Sequence, residues 1–417
     1  MRVRSLSATC LVAVCAMVIA ACGEDDSGGG GSADSGCIDG NTLTIYSSLP
    51  FDPADRPQSE DVVNGEKLAL KDAGGKVGKF DIKYVSLDDA TASAGKWDAG
   101  KTSSNARQAA QDKTTIAYLG EFNSGASAVS MPILNRSGIL QVSPSNTYLG
   151  LTKKTPDASE PAKYRPSGNK TYGRVVPADN IQAAAVATYM KENGVTKVYV
   201  LNDKEVYGKG LANEVEKAAK AQGLEVPANE EIDPKSANFR TVANKVKTSG
   251  ANGVFFGGIT ANGGVQLWKD LYASVPTAKL FGPDGVAETS FTGEIGPSQK
   301  NTFITQPTLD PKSYPPAAQK FYDQFEKTYG GGTPEPYAVY GYEAMSVVLD
   351  AMKRAGDKAN CRKDVIDQFF ATKDRQSVLG TYSIDPDGDT TLTDYGGARV
   401  EKGEIAFDKV IKAQTNQ

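Results

Sequence analysis

Short apolar runs alternate with longer amphipathic segments along most of the chain. Apolar runs of four to eight residues are typical of buried strands, and apolar positions three or four apart are typical of helices. The pattern predicts strands at 43–47, 80–87, 115–119, 139–143, 197–201, 253–256 and 279–281. It predicts helices between them at 58–73, 103–112, 126–135, 183–193, 210–222, 239–248 and 264–272. Alternation of this kind indicates parallel sheets covered by helices on both faces.

The alternation is interrupted once, at 152–171, and then restarts, which predicts two lobes rather than one. Three late helices are predicted at 315–329, 338–355 and 363–372, and their apolar faces must pack against a sheet. The strands before residue 152 have few other helices to cover them, so we expect the chain to return to the first lobe. The segment 380–407 alternates as antiparallel strands would. We therefore predict an α/β fold of two lobes, each a mostly parallel doubly wound sheet with flanking helices, joined by a multi-strand hinge. Lobe I is predicted at 39–174 and 308–392, and lobe II at 175–307 and 393–417; a cleft between lobes is a usual place for a small ligand.

The N-terminal segment has the features of an export signal. Arg2 and Arg4 precede an apolar run at 11–21 that is too short to span a membrane as a mature helix. The run ends in Ile19-Ala20-Ala21-Cys22, which resembles the bacterial lipobox, whose cysteine receives diacylglycerol. We predict a signal peptide at 1–21, lipid attachment at Cys22 and a flexible tether at 22–38. The protein is then exported, on the cell surface or in the periplasm, and touches the membrane only through its lipid.

Composition narrows the chemistry, because the chain contains no histidine. Catalysis by Ser-His-Asp or Cys-His groups and metal sites with histidine ligands are thereby excluded. We predict that the protein is not an enzyme, with no catalytic residue, no metal and no cofactor. Removal of the signal leaves 44 basic against 50 acidic residues, and no basic patch is dense enough to suggest nucleic acid.

Two cysteines remain after export. Cys10 and Cys15 leave with the signal and Cys22 takes the lipid, so Cys37 and Cys361 form an even pair in an oxidising compartment. We predict a disulfide that ties the start of the first strand to the late helices. The alternative is two free thiols.

Two motifs suggest functions that their surroundings do not support. Residues 95–102 fit the Walker A pattern, but the preceding strand ends near Leu87, too early for a phosphate-binding turn, so we expect a Gly-rich connection and no ATP binding. Residues 385–389 resemble the opening of a calcium loop. Such a loop needs Gly at position six and Glu at position twelve, where this chain has Thr390 and Gly396. A hairpin turn is the better interpretation.

A candidate anion site follows the third predicted strand. That strand runs into a helix whose first turn Ser124 is expected to cap, and the next strand ends in a hydroxyl-rich turn that includes Ser145 and Thr147. A helix N-terminus offers free N–H groups and positive partial charge, so a carboxylate fits there. The Ser124 and Thr147 hydroxyls can donate as well. The alternative is an ordinary cap and turn.

Six motifs, in this order along the chain, resemble the type I periplasmic binding proteins of the Leu/Ile/Val family, which serve ABC transporters. They lie at 64–69 with Gly74-Gly75, 138–147, 202–211, 255–258, 282–285 and 340–344. The resemblance implies a site for a zwitterion between the lobes.

The resemblance also assigns roles. It implies that Ser124 binds an α-carboxylate, that Ser145 offers a backbone carbonyl and Thr147 a hydroxyl, and that Tyr207 and Asp284 come from the second lobe. Asp284 then pairs with the α-ammonium. The remaining pocket candidates are Asn123 and Ile259, with Phe122, Tyr148 and Phe51 as weaker ones that could equally belong to the core.

Three departures from the family pattern widen the range of ligands. Ile259 stands where branched-chain binders carry an aromatic residue, Asp284 is shorter than their Glu, and the segment 50–57 is unlike their first turn. We therefore predict a monomeric binding protein that hands an amino acid or similar small polar solute to an ABC permease. The alternatives are the same fold binding an amide, urea or aromatic acid, or an extracellular sensor.

Overall fold

A computed structural model describes residues 37–413. The predicted signal peptide, Cys22 and the tether up to residue 36 lie outside the described residues, as do residues 414–417. No helix in the described range combines the length and the apolar character that crossing a membrane requires.

The first half of the chain builds a six-stranded sheet in the order β2-β3-β1-β6-β7-β8. All pairings in it are parallel except the one between β2 and β3. The strands of this half, including the small β4–β5 hairpin, are β1 (Thr42–Leu49), β2 (Lys76–Val77), β3 (Phe80–Asp88), β4 (Ala90–Thr91), β5 (Lys96–Trp97), β6 (Thr115–Gly120), β7 (Leu140–Ser143) and β8 (Tyr172–Arg174). The central strand β6 is buried along its whole length, as expected where helices cover both faces.

The second sheet has seven strands in the order β10-β9-β11-β12-β13-β16-β17. Its first five strands are parallel, and β16 and β17 add an antiparallel edge. The strands of this half, with the separate β14–β15 hairpin, are β9 (Val198–Asn202), β10 (Asn229–Glu231), β11 (Gly253–Gly257), β12 (Lys279–Gly282), β13 (Thr302–Gln306), β14 (Arg375–Ser377), β15 (Gly380–Tyr382), β16 (Asp394–Glu401) and β17 (Glu404–Lys412).

Helices alternate with these strands, and the predicted fold class is confirmed. They are α1 (Arg56–Asp72), α2 (Ala99–Gln111), α3 (Ser124–Arg136), α4 (Asp179–Glu192), α5 (Val206–Ala221), α6 (Arg240–Ser249), α7 (Gly264–Ser274), α8 (Thr289–Thr292), α9 (Pro316–Tyr329), α10 (Ala338–Ala355) and α11 (Arg362–Phe370). The expectation of antiparallel strands throughout 380–407 is wrong for 383–393, where the chain forms no regular strand but crosses towards the second sheet.

Within the described range, the chain passes between the sheets three times: after β8, after β13 and after β15. The late helices α9 and α10 pack with strands of the first sheet in one apolar core. Helix α10 lies unusually close to α1. A Cβ atom on Gly65 would collide with the Ala338 carbonyl, and one on Gly341 with the Val62 carbonyl. Glycine at these two positions therefore permits the contact between the helices.

Cys37 and Cys361 form a disulfide bond in the structure. The bond joins the first described residue to the N-cap of α11, and it is flanked by a hydrogen bond from the Ile38 N–H to the Asn360 carbonyl. Residue 37 is thereby fixed to the start of α11.

The Walker-like segment is a Gly-containing connection that leads into α2, as expected from the sequence. It forms β5 and the first turn of α2, and the Asp98 carboxylate caps that turn by accepting from the Lys101 N–H at 2.9 Å. A carboxylate at this position repels phosphate. Lys96 instead reaches across to the second half, where it contacts Glu205 and Asn262.

The calcium-like motif is a turn, also as expected: Ile384 and Thr390 pair across it as an isolated antiparallel bridge. Its three carboxylates converge on one lysine. The Lys153 Nζ lies 2.5 Å from Asp385, 2.8 Å from Asp387 and 3.6 Å from Asp389. The Lys153 ammonium group thus neutralises part of the negative charge of this turn.

We expect Lys153→Met to lower the free energy of unfolding by about 1 kcal/mol, because three carboxylates lose their shared counter-ion. Urea unfolding measures the effect. Lys154→Met is the matched control, because Lys154 is exposed; equal behaviour of the two variants would refute the role of Lys153.

Candidate functional site

A small cavity lies where the carboxyl ends of both sheets meet. Its ten lining residues include all eight side chains predicted from the sequence, together with Gly285 and Tyr337: Phe122, Asn123, Ser124, Ser145, Thr147, Tyr207, Ile259, Asp284, Gly285 and Tyr337. We call this the cleft cavity. Its volume is about 30 Å³, enough for one or two water molecules, so an amino acid can enter only if the surrounding groups move apart.

The first-sheet side of the cleft cavity offers hydrogen-bond donors and no charge. Helix α3 starts there, and no side chain caps it, so its first N–H groups face the region where an anion is favoured. Thr147 is 1% exposed, and its hydroxyl lies close to the Asp179 carboxylate. The side-chain amide oxygen of Asn123 is buried without a hydrogen-bond partner among the described residues, and an unpaired buried polar atom is costly.

Ser124 was expected to cap α3, and that expectation is wrong. The helix begins at Ser124 itself, and Asn123, with extended backbone, holds the cap position. The Ser124 hydroxyl oxygen instead accepts a hydrogen bond from the Tyr148 N–H at 3.3 Å. Its own proton stays available to the cavity.

Ser145 lines the cavity in a position fixed by local bonds. Its hydroxyl donates to the Phe122 carbonyl at 2.9 Å, and the Asn146 amide donates to the same oxygen at 2.6 Å. The turn after β7 is therefore tied to the turn after β6. Ser145 can offer its backbone to a ligand, but its hydroxyl is already engaged.

The second-sheet side is acidic. Asp284, 5% exposed, accepts hydrogen bonds from the Tyr207 hydroxyl at 2.8 Å and the Tyr337 hydroxyl at 2.6 Å. Burial raises the pKa of Asp284, and the two tyrosines oppose that shift. None of the residues that line the cavity is Lys or Arg. A cation placed here would supply the counter-charge that the carboxylate lacks.

A second carboxylate, Asp179, lies beside the cavity and was not predicted. It is the first residue of α4, it is fully buried, and its N–H donates to the Thr147 carbonyl at 2.8 Å. The Thr147 hydroxyl lies close to its carboxylate, and no other side chain of the described residues bonds it. Burial raises the pKa of Asp179 to about 8, and the nearby charge of Asp284 contributes to the increase.

Two of the weaker candidates lie elsewhere. The Tyr148 hydroxyl donates to Glu160 at 2.8 Å, and its ring packs against Gly210. Phe51 follows β1 but does not line the cavity, and the Arg56 guanidinium lies 5.8 Å from the centre of its ring. An aromatic residue that was not predicted, Tyr337, does line the cavity; it precedes α10 and packs edge-on against Phe122 at 5.6 Å.

Comparison with known proteins agrees with this geometry. The profile of the family described as "Periplasmic binding protein" matches residues 53–404. The chain belongs to the periplasmic binding protein family. It is of type I and falls in the branched-chain amino acid group, as the sequence motifs implied. This periplasmic binding protein is thus a solute-binding protein of the ABC transporter type. Members of the family bind substrates rather than converting them, and they act outside the cytoplasm.

Individual relatives show the same likeness. The chain is 27% identical over 288 residues to the Leu/Ile/Val-binding protein homolog 1 of Brucella suis, covering 68% of this chain and 72% of the relative. Its fold resembles the leucine binding protein LivK of Thermotoga maritima, with a TM-score of 0.77 and 21% identity over 89% of this chain and 99% of that one. It also resembles an R. palustris solute binding protein in complex with benzoate, with a TM-score of 0.73, 19% identity and coverage of 90% and 98%.

Proposed function

We propose that the protein is a lipid-anchored binding protein that captures an amino acid between its two lobes and delivers it to an ABC permease. The lobes comprise 39–174 with 308–392 and 175–307 with 393–417. Attachment is through Cys22, whose lipobox-like context supports it, and the protein acts as a monomer. The cleft cavity is the binding site.

The supporting observation is the separation of charge across the cleft cavity. Neutral donors gather on the first-sheet side, at the start of α3 and at Thr147, and the Asp284 carboxylate lies on the second-sheet side. Asp179 adds a second carboxylate beside Thr147. A zwitterion satisfies both sides at once. Because only the closed arrangement provides both sides together, the ligand favours closure.

An aromatic carboxylic acid is the second candidate ligand. It is favoured by the three rings at the cavity, from Phe122, Tyr207 and Tyr337, and the R. palustris neighbour is described with benzoate. Such an acid leaves Asp284 and Asp179 without a cation. The amino acid therefore fits better.

A thermal-shift screen of the common amino acids, with benzoate and urea alongside, tests the proposal. We expect one or a few amino acids to raise the melting temperature, because a ligand that binds only the folded state stabilises it. Stabilisation by benzoate or urea with no response to any amino acid would overturn the proposed ligand class.

Binding should also release protons. Near pH 7, Asp179 with a pKa of about 8 is mostly protonated, and an ammonium group favours its ionised form. We expect the release of up to about one proton near pH 7, vanishing well above pH 8, where the carboxylate is already ionised. Calorimetry in buffers of different ionisation enthalpy measures it. Asp179→Asn should reduce the release; a binding enthalpy independent of buffer near pH 7 would contradict the assignment.

A further inference from the structure

A second cavity, of about 390 Å³, lies at the hinge. We call it the hinge cavity. It is bordered by the crossing after β13, by the segment that leads into α10 and by the start of β17, and it shares no lining residue with the cleft cavity. The lining residues that matter here are Gln306, Asp310, Tyr322, Glu335, Glu404 and Phe407. The cavity is in the size range of small-molecule sites.

The charge of the hinge cavity is entirely negative. Asp310, Glu335 and Glu404 line it, and no Lys or Arg is among its lining residues. The Thr289 hydroxyl donates to one oxygen of Glu335 at 2.7 Å, but the other oxygen is buried without a hydrogen-bond partner. Three carboxylates with no counter-ion on the wall favour a cationic occupant.

A buried amide gives an independent indication of a ligand. Gln306 ends β13, is 6% exposed and lines the cavity, yet its side-chain oxygen is buried without a partner in residues 37–413. Buried amide groups are almost always hydrogen-bonded. An occupant with N–H groups would supply the missing donor.

The remaining wall favours an organic occupant over a metal ion. Tyr322 and Phe407 contribute aromatic rings, and Leu309 and Ile405 contribute aliphatic surface. Aromatic faces attract ammonium groups, and apolar surface accommodates the carbon chain between them. We propose that the hinge cavity binds a small organic ammonium compound, such as a diamine, as a second ligand distinct from the one in the cleft.

The position of the hinge cavity links it to the cleft. Glu335 and Pro336 line the hinge cavity, and the next residue, Tyr337, lines the cleft and donates to Asp284. The Thr308 hydroxyl holds the Pro336 carbonyl at 3.2 Å. An ammonium compound bound at Glu335 therefore acts on the segment that positions Tyr337, and each ligand changes the affinity of the other by the same factor.

Calorimetric titration of the protein with putrescine, at matched ionic strength, tests the proposal. We expect saturable one-to-one binding. The double variant Glu335→Gln with Glu404→Gln should weaken it by at least about tenfold, as expected for the loss of two charged partners. Glu294→Gln is the control, because Glu294 is an exposed acid outside the cavity; its affinity should stay within about twofold of the parent.

Glu404→Gln alone provides a second test that does not depend on buried groups, because Glu404 is exposed at the cavity. It should weaken putrescine binding severalfold with an unchanged melting temperature. Absence of saturable binding in the parent, or binding that persists unchanged in the folded double variant, would overturn the proposal. Both experiments measure putrescine binding directly, so their results can be interpreted whether or not an amino acid binds in the cleft.

Discussion

Asp284→Asn should weaken binding of the amino acid by about 1.5–3 kcal/mol, the range for hydrogen bonds to charged groups, which is roughly a 10- to 200-fold loss of affinity. The substitution keeps the shape of the side chain and removes its charge. Tyr207 and Tyr337 donate to different carboxylate oxygens, so one hydroxyl can still donate to the amide oxygen and the other must accept from the new amide NH2 group. The main loss is the charge that faces the ammonium group. Calorimetry with the parent ligand measures the effect.

The fold should survive this substitution. Because burial raises the pKa of Asp284, the protein gains nothing in stability from that charge, and the melting temperature without ligand should be unchanged or higher. Asp323→Asn, at an exposed position on α9, is the matched control and should bind normally. An Asp284→Asn protein that binds as tightly as the parent would remove Asp284 from the site.

Arg174→Met should lower the free energy of unfolding by about 3–5 kcal/mol, the usual cost of breaking a buried ion pair. Arg174 is fully buried at the end of β8 and lies 2.8 Å from the Asp389 carboxylate. It also donates to the carbonyls of Asn146 and Tyr148, at 3.2 and 2.9 Å. These two bonds hold the turn that carries Thr147 into the cleft, so the variant should lose ligand affinity as well as stability.

Urea unfolding checks this second prediction. Arg136→Met, at an exposed position in the last turn of α3, is the control and should change stability little. Adding Asp389→Leu to Arg174→Met should recover part of the loss, because the stranded carboxylate is then removed. A single variant as stable as the control would show that the buried pair contributes nothing.

The succession of strands and helices could be predicted because parallel strands buried on both faces appear as continuous apolar runs, as in β6 and β9. The family motifs could be recognised in the sequence, but the contacts that require their residues could not be deduced from it. Gly208 and Gly257 are an example: each would collide with the other's carbonyl if it carried a Cβ. Such pairwise contacts leave no local trace in a single sequence.

The site was predictable where family motifs follow predicted strands, and not where the chain crosses between lobes. The eight predicted residues meet at one cavity because carboxyl ends of parallel strands share an edge of the sheet. Asp179 and Tyr337 were missed because each begins a helix after a crossing or loop, and only tertiary packing brings them to the cleft. Tyr148, one of the weaker candidates, does not line the cavity, because its hydroxyl donates to Glu160 and its ring packs against Gly210.

One comparison tests most directly whether the carboxylate and the ammonium group of a single ligand are bound from opposite sides of the cleft. The best amino acid of the screen, its N-acetyl derivative and its carboxamide should be titrated calorimetrically against the same protein. Each derivative lacks one of the two charges and should bind at least about tenfold more weakly than the amino acid. An N-acetyl derivative that binds as tightly as the free amino acid would contradict the account, because Asp284 and Asp179 would then face no cation.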